Sequence, residues 1–342
     1  MVAAIVKEME LRQDYLVDKK LQTIYFGGGT PSLLNRDELD LIFKAAQRIF
    51  DVTADAEITL EANPDDLNAA TLEALAASPV NRLSIGVQSF HETDLKFMNR
   101  AHNSTEAIQC LHAAKTMGFD NMTIDLIYGT PGLTDAMWLE NLTIFKSLDI
   151  PHLSSYCLTV EEGTALDHFV KKGTAAPVDD EQAARQFEVL LDFIDANGYQ
   201  QYEISNFSKP KMQARHNTAY WQGIPYLGLG PSAHSFDGAS RQWNIPNNTK
   251  YLKAMAADTP DFEREVLTKE QQFNEYILTA LRTIWGVDVN RLAGILPDAI
   301  SDFLEKTEAF ILRGEMVREG DAFVLTREGK LLADGIAGEL FC

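Results

Sequence analysis

TIYFGGGTPS, residues 23–32, decides how the rest of the chain is read. A strand-like run, TIYF, enters three consecutive glycines, and Pro31 fixes the chain as it leaves them. Three glycines remove side-chain bulk, so backbone N–H and C=O groups can come close to a ligand, and Thr30 adds a hydroxyl. The competing reading is a tight turn that needs only positive φ, and a lone GGG leaves both open. It is not a dinucleotide fingerprint, because GxGxxG is absent and no helix follows at once.

Outward from this turn, strand and helix patterns alternate. Strand-like runs lie at 23–26, 57–62, 82–87, 122–128 and 152–158, with helix patterns at 37–50, 68–77, 104–117 and 135–148. The helices repeat apolar residues at three- and four-residue spacing, as in Leu39, Ile42, Phe43 and Ala46. Residues 1–19 read as a further helix. Repeated αβ units imply a parallel sheet. Polar or glycine residues sit at or near the C-terminal ends of the strands (27–30, Glu61–Asn63, Gln88, Asp125), the rim on which barrels assemble chemistry. Five strands are too few for eight-stranded closure, so the expected α/β architecture is a partial, TIM-like barrel.

After Glu161 the chain turns rich in Gly, Thr, Pro and charge, which marks a connection. A helix over 180–197 is closed by Gly198, and YEISNF at 202–207 reads as one more edge strand. Residues 216–236 are aromatic and rich in Gly and Pro, without a period. Helix patterns dominate from 268 and end in strand, glycine turn, strand and helix, a winged-helix-like module. The expected division is 1–165 as the barrel core, 166–265 as its completion with the aromatic segment, and 266–342 as the C-terminal module.

Composition excludes several classes. The 342 residues are 45% hydrophobic, which fits a globular core, and carry a net charge of −20. Such a charge repels phosphate backbones and anionic lipid, so nucleic-acid and membrane-surface binding are not expected, winged ending included. No run of 18 apolar residues occurs, and the start lacks the basic region and cleavage site of a secretory signal, giving a cytoplasmic expectation. Cys110, Cys157 and Cys342 have no metal or redox spacing; the first two are expected to be small buried hydrophobes.

Several polar residues stand out. Glu61 ends a strand in EANPDD, where a carboxylate can accept from ribose hydroxyls or an ammonium group, or merely be solvated. Gln88 in GVQSF can donate and accept, and Arg100 in KFMNRAHN can hold a carboxylate bidentately. Asp125 lies inside the apolar run MTIDLIYG, where a charge is costly unless paired, so it is either functional or part of a structural ion pair. HNTAYWQGIPYLGLGPSAHSF groups His216, Tyr220 and Trp221 with further aromatics. Such a group can stack on a flat macrocycle or ligate its iron, or be a packed loop. His91, His102, His112, His152 and His168 show no ligand spacing and are taken as structural.

Taken together, GGGTPS, EANP, GVQSF with NRAHN, DLIYGTPG, and HNTAYW with YLGLGPSAHSF stand in the order found in radical S-adenosylmethionine proteins. The chain resembles the subgroup of oxygen-independent coproporphyrinogen III oxidases and the HemW haem chaperones, and in HNxxYW and length it is closer to the chaperones. The resemblance implies a six-stranded partial (β/α) barrel with S-adenosylmethionine on its open rim. It implies that Gly28, Gly29 and Thr30 hold the methionine end of that cofactor and that Glu61, Gln88, Arg100 and Asp125 contact it. It also implies haem binding by His216, Tyr220 and Trp221, or attachment through Cys157, with delivery to acceptor haem proteins, respiratory ones among them. The alternative it carries is oxidative decarboxylation of coproporphyrinogen III. Family members begin with a strand and CxxxCxxC, which ligates a [4Fe–4S] cluster, whereas the first cysteine here is Cys110. The expectation is that this strand and loop are missing, as though the sequence began at an internal Met, that no metal ligands are present, that radical chemistry is not supported as written, and that an unpaired edge strand lowers solubility.

Overall fold

The computed structural model describes residues 1–342. The main sheet has seven strands in the order β1-β2-β3-β4-β5-β7-β6: β1 (Lys20–Phe26), β2 (Asp51–Ala62), β3 (Arg82–Gln88), β4 (Met122–Tyr128), β5 (His152–Cys157), β6 (Gln200–Glu203) and β7 (Asn206–Ser208). Strands β2 to β5 pair in parallel, and helices Ala69–Ala76, Ser104–Thr116 and Asp135–Ser147 connect them. The apolar alternation supplies the core: Leu60, Leu83, Ile85, Ile124 and Leu153 are fully buried, against Leu72, Trp138 and Phe145 of the helices. Local signals set the helix ends. Asn103 and Glu106 form a reciprocal capping box at the start of Ser104–Thr116, and Thr134 caps Asp135–Ser147.

The chain gathers into two compact units, one of residues 24–36 and 57–214 and the other of residues 1–23, 37–56 and 215–342. The second contains two small antiparallel sheets. One joins β8 (His234–Phe236), β9 (Ser240–Asn244) and β10 (Phe262–Val266); the other joins β11 (Val287–Asp288), β12 (Met316–Glu319) and β13 (Ala322–Leu325). The strand–turn–strand–helix ending is present, with Gly320 at the turn. The helix before it, Ile300–Leu312, exposes Asp302, Glu305 and Glu308. No helix is long and apolar enough to cross a membrane.

Four sequence expectations are corrected. The first helix spans Val2–Leu11, not 1–19. Beyond Arg12, side-chain acceptors compete with the helix, Asp18 taking the Lys20 N–H. Arg12 itself turns inward to Glu8, Asn244, Gln242 and Ser235. The single strand expected at 202–207 is a hairpin, β6 and β7, because the Glu203 carboxylate captures the Ser205 N–H and turns the chain. The stretch 161–179, read as a connection, contains the helix Ala165–Lys171, capped by Thr164. Cys157 is exposed at the end of β5, whereas Cys110 is buried as expected.

Candidate functional site

At the C-terminal ends of β1 to β4 a cleft of about 160 Å³ opens to solvent, bordered by Thr30, Glu61, Asn63, Gln88 and Asp125. Its geometry begins with the glycines. Gly28 and Gly29 have φ of +71° and +64°, a region that disfavours side chains. Gly27 has a different reason: a Cβ there would come within 2.5 Å of the Tyr25 ring and 2.9 Å of Glu61 Oε1. That space lets Tyr25 donate its hydroxyl to Glu61 Oε1 at 2.6 Å while the Gly28 N–H donates to Oε2 at 3.1 Å. Burial, and then the Glu61 charge, push the Tyr25 phenol well above its usual range, so it remains a donor.

A second set of bonds frames the far side. Asp66 Oδ2 accepts from Ser32 Oγ at 2.8 Å and from Asn63 Nδ2 at 3.1 Å. Asn63 Oδ1 in turn accepts from Arg100 Nη2 at 2.7 Å, and the same nitrogen reaches the Gly86 carbonyl at 3.1 Å. The glycine turn, the EANPDD segment and Arg100 are thereby one connected frame. Gln88 sits at an irregularity between β3 and β4 with φ +69°, left-handed backbone held by a non-glycine residue. Strain of this kind persists only where the surroundings impose it, and it clusters at functional sites.

Asp125 faces the cleft from β4. Burial pushes its carboxyl up to about 7 against a hydrogen bond to Ser154 and the charges of Arg82 and Arg100, and the nearby Glu61 charge adds to the rise. It forms no ion pair within the usual 4 Å limit, so the structural-pair reading of the sequence is not what the fold builds. Gly29, Thr30, Glu61, Gln88 and Asp125 therefore line one cleft; Gly28 bonds Glu61, and Arg100 is tied to two lining residues. Reasoning from sequence singled out neither Tyr25, Ser32 nor Asp66. The only signal for them was their place within TIYFGGGTPS and EANPDD.

The aromatic segment lies in the other unit. The helix Arg215–Trp221 puts His216 and Tyr220 one turn apart, with ring centroids 4.7 Å apart. Tyr220 then stacks edge-on against Tyr226 at 4.5 Å. His216 Nδ1 meets Thr23 Oγ1 at 2.8 Å, and Trp221 Nε1 is buried without a hydrogen-bond partner. Tyr220 is 44% exposed and Ile224 50% exposed. Three other histidines, His91, His102 and His152, bond a backbone carbonyl or a buried hydroxyl. Although Cys157 is exposed at its edge, partial desolvation of its sulfur and then the Asp180 charge raise the thiol, which disfavours thiolate chemistry there.

Residues 4–143 match the model of the radical SAM superfamily. The heme chaperone HemW of Bacillus subtilis is 34% identical over 93% of this chain and 85% of its own length. HemW of Escherichia coli is 31% identical over 99% of this chain and 89% of its own. Among solved structures, coproporphyrinogen III oxidase (HemN) from Escherichia coli, a radical SAM enzyme, superposes with a TM-score of 0.83 at 22% identity, covering 99% of this chain and 82% of that one. At that identity the likeness concerns the fold, and it is the partial-barrel architecture read from the alternation of strands and helices. A glycine turn bonded to a strand-end carboxylate, a cleft at the strand ends and an unbroken similarity to the chaperones lead to one assignment: the chain belongs to the HemW heme chaperone family of the radical SAM superfamily.

Proposed function

We propose that this protein binds haem and passes it to acceptor haem proteins, and that its cleft holds S-adenosylmethionine. The observation that carries the haem reading is the His216–Tyr220–Tyr226 ladder, a histidine beside part-exposed aromatic rings, as a flat macrocycle with a central iron requires. His216 would hold the iron, with Tyr220 and Trp221 as flanking surfaces.

The cleft fits the cofactor by its donors and acceptors. S-adenosylmethionine offers a carboxylate, an ammonium group, a ribose diol and an adenine. Backbone N–H groups of the turn and Arg100 suit the carboxylate, Glu61 and Asp125 the ammonium or hydroxyls, and Gln88 either kind of group. The [4Fe–4S] cluster fares differently. No group of three His, Cys, Asp or Glu side chains is arranged to hold a metal ion, and the three cysteines do not meet. The residues of this chain do not fit that cluster, and the roles given to them are binding and orientation. Decarboxylation of coproporphyrinogen III would rest on likeness of fold alone.

Titrating haem into the purified protein is expected to give a shifted, saturable Soret band that His216→Ala weakens at least about tenfold, the loss of one ligand bond. Folded protein without a saturable shift would reject the haem reading, and an unchanged His216→Ala titration would reject the ligand.

A further inference from the structure

Asp125 is the first member of a polar row that leads away from the cleft. Asp125 on β4 is the register partner of Ser154 on β5, Ser154 of Asn206 on β7, and Asn206 of Glu203 on β6. Register partners present their side chains on one face of a sheet, so the four lie side by side.

The directions of the hydrogen bonds follow from what each group can do. A carboxylate only accepts. Glu203, 3% exposed, accepts from the Ser205 N–H at 3.0 Å and from Asn206 Nδ2. That turns the Asn206 amide so that its Oδ1 faces Ser154, which donates to it at 2.8 Å. A hydroxyl has one proton. With that proton committed to Asn206, Ser154 has only a lone pair left for Asp125, and a lone pair pairs with a carboxyl only when the carboxyl carries its own proton. We propose that Glu203 is a positioning residue which, through Asn206 and Ser154, fixes the direction of the hydrogen bond at Asp125, so that this carboxyl is the donor to Ser154 and its other oxygen accepts in the cleft.

The groups that face Asp125 are Glu61 on β2, Arg82 on β3, Arg100 in the loop before helix Ser104–Thr116, Tyr25 on β1 and Tyr156 on β5, whose hydroxyl also approaches Ser154 and Asn206. Of these, Arg82 and Arg100 favour the carboxylate and Glu61 the acid; a Ser154 hydroxyl that donated to Asp125 would also favour the carboxylate, but its one proton goes to Asn206. The row adds a directional preference that summed charges do not contain. Its relevance to S-adenosylmethionine rests on the reading of the cleft given above; the proton assignment does not.

Glu203→Gln tests the direction. A glutamine can donate, so Asn206 can invert, its Nδ2 then donates to Ser154, and Ser154 donates to Asp125, which favours the carboxylate. In ligand-free protein, the infrared carboxyl band that disappears in Asp125→Asn is expected near pH 6 in the parent. In Glu203→Gln its midpoint should fall by about one pH unit, tenfold in proton affinity. Ser154→Ala removes the acceptor and is expected to shift the band the same way, which keeps the test open if the glutamine variant does not fold. A parent without the band at pH 6, or midpoints unmoved in both variants, would overturn the proposal. Calorimetric titration of S-adenosylmethionine into the parent at pH 6 and pH 8 separates the two readings: absence of heat at both rejects the cofactor assignment and leaves the infrared result standing.

Discussion

Two polar rows cross the same sheet, and they behave in opposite ways. The row just described opens onto the cleft. The other runs through Glu57 on β2, Arg82 on β3, Thr123 on β4, His152 on β5 and Tyr202 on β6, each at most 5% exposed. Arg82 lies 3.8 Å from Glu57 and donates to Thr123; Thr123 Oγ1 meets His152 Nδ1 at 3.0 Å, and His152 Nε2 meets the Tyr202 hydroxyl at 2.8 Å. Burial, and then the Arg82 charge, hold His152 well below its usual range, so it is the neutral imidazole that accepts from Thr123 and donates to Tyr202. This row begins and ends inside the protein with its charges matched. A buried row of paired polar groups stabilises a particular strand register; one that ends at a cleft keeps an incompletely partnered group for a ligand.

Breaking the closed row has the largest expected effect. Arg82→Ala leaves Glu57 buried without its cation and should lower unfolding free energy by about 3–5 kcal/mol, read by urea denaturation. A loss under about 1 kcal/mol would mean the row is not held by charge. Asp125→Asn should act with the reverse sign. The native carboxyl is pushed up to about 7 from an ordinary 3.8, so the native state holds a proton that the unfolded chain has released. Stability therefore falls as pH rises between these values and stays lower above them, and the asparagine removes that loss. A gain of about 1–3 kcal/mol at pH 8 is expected, together with at least about tenfold weaker S-adenosylmethionine binding. Unchanged stability at pH 8 would mean that the fold does not raise the proton affinity of the Asp125 carboxyl.

His152 gives a smaller, pH-dependent contrast. Its native pKa is depressed, so below about pH 6.5 the unfolded chain takes up a proton the native state refuses, and stability falls as pH falls. The decrease in melting temperature from pH 7.5 to pH 5 should be smaller in His152→Gln; equal decreases would remove His152 from the account. The smallest effect is at Gln88. Glycine at its φ of +69° should stabilise the fold by about 0.5–1 kcal/mol while weakening cofactor binding, a split seen by comparing melting temperature with calorimetry.

How much of this was legible beforehand varies with the range of the interaction. The helix read over 104–117 spans Ser104–Thr116, and the strand read over 122–128 matches Met122–Tyr128, because capping residues and apolar periods are local. The hairpin of β6 and β7 was not legible, since it depends on Glu203 capturing a backbone N–H two residues on. Nor was the end of the first helix. Arg12 leaves the helix for Asn244, Gln242 and Ser235, more than two hundred residues away. Cys157 reads as buried by strand composition but emerges at the strand's end, three residues past the last pairing with β7, at Ser154.

The candidate site divides in the same way. Glycines 27–29, the strand-end carboxylate Glu61, the amide Gln88, the cation Arg100 and the apolar run around Asp125 were fixed by the order of residues, because backbone freedom and side-chain chemistry belong to each residue alone. The tertiary structure alone decided that Asp66 ties Ser32 to Asn63 and thence to Arg100, that Asp125 holds its proton near neutrality, and that His152 does not. The physical reason is that a proton's affinity and a hydrogen bond's direction depend on burial and on partners brought together from distant strands.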